Sequence, residues 1–284
     1  MANKKEVRQH IESVSDIGTI TNAMYLIAST KLRRAKESLS NARPYFNALK
    51  QTMHALSADK QAQKSSYFRT EGDKNAFVVI TGDKGLAGAY NYNVIRSVLP
   101  LLENNEKALL FPIGAYGKQY FIKHGYNVKE DFSFSSERGV LHSARIIGGI
   151  LTDMYDRNEI NEIFIVYTDF SGGMDSTVKV RKLLPFEGEE QDDLPREFYP
   201  SAQEVMKNVV PEYVIGYLYG AMTDGFCSEQ NARMTAMDAA NKNAEKLLEE
   251  LSVKYDHIRQ NSITQEIIEV SSGTARQRNK GEIG

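Results

Sequence analysis

The feature that most constrains this chain is a pair of heptad-spaced apolar ladders, one towards each end. From Ala28 the first runs through Leu32, Ala35, Leu39, Ala42, Phe46, Leu49, Met53 and Leu56, alternating steps of four and three. That spacing is the seam of a coiled coil. Towards the other end Met237, Ala240, Ala244, Leu247 and Leu251 repeat the habit. Two such helices at opposite ends of a chain can pair antiparallel and leave the middle as a globular attachment. A chain built this way is suited to transmitting position or force rather than to performing chemistry.

The first helix is expected from Lys4 to Leu56, which at 1.5 Å per residue is roughly 80 Å. Its seam traces back through Tyr25, Thr21, Gly18, Val14, Ile11 and Val7, but the larger apolar residues there are Ile17, Ile20, Met24 and Ile27. The apolar stripe is therefore expected to rotate around the helix and the seam to loosen. Pro44 removes one backbone bond inside the pattern and predicts a bend. The last helix is expected from about Ser201 to about Val270, with Pro211 in its first turns.

Between the helices the texture changes. Residues 57–75 are polar and predict a linker; Phe77–Ile80 is a compact apolar run ending in the turn Thr81-Gly82-Asp83-Lys84-Gly85. Helices are expected at 91–102, 116–124 and 140–154, and strands at 108–112, 162–167 and, as an edge, 177–184. Strands alternating with helices predict a central Rossmann-like α/β domain around a mostly parallel sheet. The fold class is thus α/β with an antiparallel coiled coil of the terminal helices. The expected organisation is an N-terminal helix over 1–58, an α/β domain over 74–190, a C-terminal helix over 201–275 and a basic tail over 276–284. The acidic stretch Glu187 to Asp193, closed by Pro195 and Pro200, is expected as an exposed loop.

A net charge of -2 gives no global pull towards nucleic acid or anionic membrane. The single cysteine, Cys227, excludes an internal disulfide. No apolar run approaches the roughly 18 residues that cross a bilayer. The start MANKKEVRQHIESV has no signal-like apolar stretch, so the mature protein is expected to begin here, in a bacterial-type cytoplasm.

Few residues suggest chemistry. Thr81 to Gly88 resembles a phosphate loop after a strand, yet matches neither G-x-G-x-x-G nor G-x-x-x-x-G-K-[ST]; its glycines are more simply explained by tight backbone geometry. Asp169-Phe170-Ser171-Gly172-Gly173 follows a strand and is most simply a turn. The five histidines fall at no metal-ligand spacing, so no catalytic residue, cofactor or metal site is expected. Lys31, Arg33, Arg34 and Lys36 form a basic cluster that is either a solvated face or a match for an acidic partner. Gln230 and Arg233 lie on the seam of Met237, where an unpaired guanidinium is costly; such a seam is expected to face another protein or water for part of its length.

At these residues the chain resembles the gamma-subunit family of rotary F-type ATP synthases. Residues 17–45 (IGTITNAMYLIASTKLRRAKESLSNARPY) resemble the family's first-helix signature. Residues 80–91 (ITGDKGLAGAYN) are similar to its loop after the first central strand. Residues 228–266 carry Ser228-Glu229, Ala232-Arg233-Met234, Ala236-Met237, Asn243-Ala244, Arg259-Gln260 and Ile263-Thr264-Gln265-Glu266.

The resemblance implies a non-catalytic central-stalk rotor that couples ion flow through a ring of c subunits to ATP synthesis or hydrolysis at beta subunits. It implies that Lys31, Arg33 and Arg34, with Leu26 and Arg233 nearby, lie close to acidic lever loops of the beta subunits. Arg259, Gln260 and Thr264 would approach the beta catch region, and the foot around Phe198 and Tyr199 would meet epsilon and the c ring. The alpha and beta subunits would carry the nucleotide chemistry, and the complex would hold this chain peripherally at the cytoplasmic face of the membrane. The chain departs from the family pattern at Asn22, often a lysine, and at Tyr199, commonly a glutamate before the foot proline. Its end, Arg276 to Lys280, is basic and expected to fray, and the thiol pair of the chloroplast form is absent. Three other functions fit the residues: the shaft of a divergent F-type-like ATPase, a free-standing α/β ligand-binding protein using the Gly82–Gly88 loop, and a generic coiled-coil scaffold that self-associates through its seams.

Overall fold

The computed structural model describes residues 4–69, 71–103, 105, 107–129, 132–137, 139–170, 176–188 and 197–281, with 272–281 described by backbone alone. Ser171–Gly173, most of the acidic stretch 187–193, and the side chains of Arg276, Arg278 and Lys280 lie outside the described residues. The order of elements is α1 (Lys4–Ser57), β1 (Asn75–Ile80), α2 (Tyr90–Glu103), β2 (Ala108–Ile113), α3 (Ala115–Lys123), α4 (Val140–Asp156), β3 (Glu162–Asp169), β4 (Thr177–Leu184) and α5 (Ala202–Gly281). Two compact units result, Met1–Ile27 with Ala236–Gly284, and Ala28–Thr235.

In the first unit the start of α1 packs antiparallel on the C-terminal part of α5. Thr21 Oγ1 donates to Asn241 Oδ1, a Cβ at Gly18 would lie 3.7 Å from that of Ala244, and Lys4 sits over the Tyr255 ring. Contact positions rise along one helix as they fall along the other. The seam of α1 runs unbroken through Val7, Ile11, Val14, Gly18, Thr21 and Tyr25. It does not rotate: Ile17, Ile20 and Ile27 are each more than half exposed, and of the four larger apolar residues Met24 alone is half-buried. Small and polar residues let the backbones approach here, and the pair Thr21–Asn241 satisfies its own hydrogen bond within the seam. On α5 the seam is Met237, Asn241, Ala244, Leu248, Leu251, Tyr255 and Ile258. Leu247, one residue off this strict 4–3 alternation, is exposed instead.

In the second unit the Ala28–Leu56 ladder is buried or half-buried throughout. It meets α5 again antiparallel, with Phe46 against Tyr219 and Tyr45 donating to Glu212. The sheet has the order β2-β1-β3-β4. Strand β1 is parallel to β2 and β3, while β4 joins antiparallel at the edge. Alternation along the strands divides the core. Val78, Ile80, Phe111 and Ile165 face a layer made by α4, α5 and the end of α1. Phe77, Val79, Leu110 and Val166 face α2 and α3.

The expected linker after α1 is folded into this core. Two short 3-10 turns, Ala62–Lys64 and Ser66–Phe68, bury Ala62 and Tyr67. Tyr67 stacks on Tyr155, whose hydroxyl donates to the Arg69 carbonyl at 2.6 Å. Polar composition concealed this anchor because few side chains make it: Ala62, Tyr67 and the half-buried Phe68, which packs on Phe186. Helix α5 also runs past its expected end, continuing from Val270 to Gly281.

Candidate functional site

The glycine-rich turn after β1 is held by its own chain through side chains and carbonyls. Buried Thr81 donates its hydroxyl to the Ile113 carbonyl and accepts from the Gly117 amide, both at 3.0 Å. The Gly82 amide donates to Asn91 Oδ1 at 2.8 Å. Asp83 accepts from the Ala115 amide at 3.1 Å and from Ser135 Oγ at 2.6 Å. The first turn of α3 therefore receives its anion from the loop itself, as a helix N-terminus favours. Gly114, at φ +92°, lies so close beneath the turn that a Cβ there would stand 2.2 Å from the Thr81 carbonyl oxygen.

Above the turn sits Glu229 of α5. A Cβ on Gly82 would approach its carboxyl carbon to 2.7 Å, so the glycine is required for close approach. Glu229 Oε1 accepts from Arg233 at 2.6 Å, with side-chain exposures of 5% and 11%. The same guanidinium donates to the Gly85 carbonyl at 3.1 Å. Burial raises the Glu229 carboxyl above its ordinary range, and Arg233 opposes that rise. Arg233 on the seam is thus explained by pairing within the chain rather than by a seam open to water. The spacing Glu-x-x-x-Arg was the signal for it. A phosphate placed at this turn would meet Asp83 and Glu229, which argues against a nucleotide loop.

The basic cluster on α1 divides. Lys31 pairs with Glu137 at 2.6 Å, and Lys36 lies 4.7 Å from the Phe170 ring centroid. Arg33 and Arg34 are exposed. Lys31 and Arg34 edge a groove of ≈ 530 Å³ whose apolar wall includes Leu141, Tyr219 and Phe226. An acidic element with an apolar side would find both partners there.

In the other unit Leu26 is 58% exposed. Arg259, Gln260 and Thr264 are exposed on α5. Arg259 lies 3.6 Å from Asp256, and the Thr264 hydroxyl donates to the Gln260 carbonyl, leaving its oxygen as an acceptor. At the start of α5, Tyr199 is 94% exposed, whereas Phe198 is half-buried against the main core. The expected contact residues therefore fall into four patches: Lys31, Arg33 and Arg34; Leu26; Arg259, Gln260 and Thr264; and Tyr199. Arg233 is turned inward, and Phe198 packs against the core.

Among the described residues no helix is long and apolar enough to cross a membrane. Comparison with known proteins bears on the whole chain. The family model described as ATP synthase matches residues 3–275. The ATP synthase gamma chain of Ruminiclostridium cellulolyticum is 36% identical, aligned over 96% of this chain and 98% of its own. That of Caldicellulosiruptor saccharolyticus is 38% identical, over 97% and 99%. Among solved structures, a chain of the Euglena gracilis mitochondrial ATP synthase assembly of OSCP, F1 and c-ring shares the fold. Its TM-score is 0.71 at 16% identity, covering 99% of this chain and 96% of that one.

Proposed function

The chain belongs to the ATP synthase gamma-chain family, and from that premise we infer where it touches the rest of the motor. It is the central-stalk rotor subunit of an F-type ATP synthase and a non-catalytic component of that complex. Nucleotide chemistry belongs to the alpha and beta subunits around it. Torque passes between them and this chain as beta subunits meet different faces of the shaft in turn.

The observation that carries the reading is the contrast between engaged and exposed polar groups. The two carboxylates at the glycine-rich turn, Asp83 and Glu229, are engaged within the chain, while Arg33, Arg34, Arg259 and Gln260 face outward from long helices. Lys31, Arg33 and Arg34 receive the acidic lever loops of the beta subunits, and Leu26, in the other compact unit, offers an apolar contact to a beta subunit. Arg233 serves that contact indirectly, by fixing the Gly85 turn. Arg259, Gln260 and Thr264 engage the beta catch region. The foot, with Tyr199 outermost and Phe198 anchoring it, meets epsilon and the c ring. Association with the cytoplasmic face of the membrane is peripheral and runs through the complex. The free-standing ligand-binding alternative is disfavoured by Asp83 and Glu229 at the turn.

Purification of the tagged chain from its native membranes, with the partners identified by mass, tests this. Co-recovery of alpha, beta, epsilon and c subunits is expected. Recovery of alpha and beta without c would point to a divergent motor with another foot attachment, and recovery of none would overturn the assignment.

A further inference from the structure

The two edges of the sheet are treated differently. Strand β2 is covered: its backbone bridges residues 127–129 and Phe134, with Leu110 N–H donating to the Asn127 carbonyl at 2.8 Å, Lys129 N–H to the Leu110 carbonyl at 2.9 Å, and Gly114 N–H to the Phe134 carbonyl at 2.9 Å. Strand β4, among the described residues, pairs only with β3. Among the described residues no backbone hydrogen bond joins its outer edge to any other segment. From Thr177 to Lys182 the outer edge therefore presents alternate N–H and C=O groups, while Leu183 and Leu184 are buried.

Beside that edge, between the last turns of α1 and residues 180–188, lies a groove of ≈ 750 Å³. Its floor is apolar, with Met53, Phe186 and Tyr213, and its rim carries Lys50 and Arg181, both exposed. Lys182 on the same rim pairs with Glu187 at 3.0 Å, so the remaining charge is positive. Cations on an edge strand are also a common guard against aggregation. A guard needs no apolar trough alongside it; here edge, trough and a rim that is net positive among the described residues coincide.

We propose that β4 and this groove form a docking site for an extended, carboxylate-bearing segment of a neighbouring subunit, added as a fifth strand with its acidic side chains against Lys50 and Arg181. Main-chain pairing supplies attachment, alternate side chains enter the trough, and the cationic rim selects an acidic sequence. The proposal rests on the chain working inside a multi-subunit complex.

The test is hydrogen exchange of residues 177–184 in the free chain and in the purified complex. Co-purification of alpha and beta is scored first, so failure to assemble is distinguished from failure of this inference. In the assembled complex about half of the β4 amides, the outward-facing ones, are expected to exchange at least about tenfold more slowly than in the free chain. Unchanged exchange of β4 in an assembled complex would overturn the proposal. The second arm is the double variant Lys50→Glu, Arg181→Glu, whose side chains are exposed and whose free-chain melting temperature should match the parent. It is expected to lose the protection while retaining alpha and beta. Protection that survives both reversals would rule out an acidic occupant.

Discussion

Removing Arg233 should do more harm than its place on a helix surface suggests. The Arg233→Ala variant leaves Glu229, 5% exposed, without its counter-charge and frees the Gly85 carbonyl. Breaking a buried pair from one side costs about 3–5 kcal/mol, since the remaining carboxylate keeps its desolvation penalty. For a unit of this size that is a loss of roughly 6–20 °C in Tm. The cost should depend on pH with a definite sign. Burial already raises the Glu229 carboxyl, and loss of Arg233 raises it further. The folded variant then holds a proton more tightly than the unfolded chain, so its stability is greatest at low pH and falls as pH rises through the folded value. Glu229→Gln in the Arg233→Ala background removes the orphan charge and should recover much of the loss at pH 8. The assay is thermal unfolding by circular dichroism at pH 5.5 and 8. A loss below about 1 kcal/mol for Arg233→Ala, or a double variant as unstable as the single one at pH 8, would refute a buried latch.

Alanine at three glycines of the same region should rank by the atoms a Cβ meets. Gly114→Ala, with its positive φ and a backbone oxygen at 2.2 Å, should prevent folding; Gly82→Ala, against the pinned Glu229, should cost about 1–3 kcal/mol; Gly85→Ala, with nothing within 4 Å, should lie within about 0.5 kcal/mol of the parent. Expression yield and urea midpoints give the order. Asp224 is raised to about 7 by burial and then by the charge of Asp169, opposed by Lys179 and Arg43. Its folded form holds a proton that the unfolded chain releases, so it costs stability increasingly between about pH 4 and 7. Asp224→Asn should therefore stabilise the chain at pH 8, by on the order of 1–2 kcal/mol after solvent screening, and leave it unchanged at pH 4; paired melting curves check this.

The shaft was legible in the sequence because heptad spacing survives any choice of partner. The ladder from Ala28 to Leu56 and the strands at 77–80, 108–112, 162–167 and 177–184 came directly from period and turn residues. What was missed depended on contacts distant in sequence. Bulk suggested that Ile17, Ile20 and Ile27 carry the seam, but the close approach of Gly18 to Ala244 chose the smaller residues. Leu247 lost its place to Leu248 because the ladder was followed through Ala240 rather than Asn241, a polar residue satisfied across the seam by Thr21. Polar residues 57–75 hid Tyr67, since one well-stacked aromatic can anchor a segment that composition assigns to a linker. For the contact patches the sequence identified the cations but not their engagement: Glu137 holds Lys31, Glu229 holds Arg233, and Arg33 and Arg34 remain outward.

The central claim, that this chain couples rather than catalyses, is tested most directly by pumping in membrane vesicles carrying Lys31→Glu, Arg33→Glu and Arg34→Glu together. The Lys31–Glu137 pair is more than a third exposed on both sides, so its reversal costs at most about 1 kcal/mol and the complex should assemble. The account predicts that nucleotide binding at the beta sites survives while ATP-driven ion pumping is impaired, because like charges now face the lever loops. Pumping equal to the parent's in an assembled complex would contradict it.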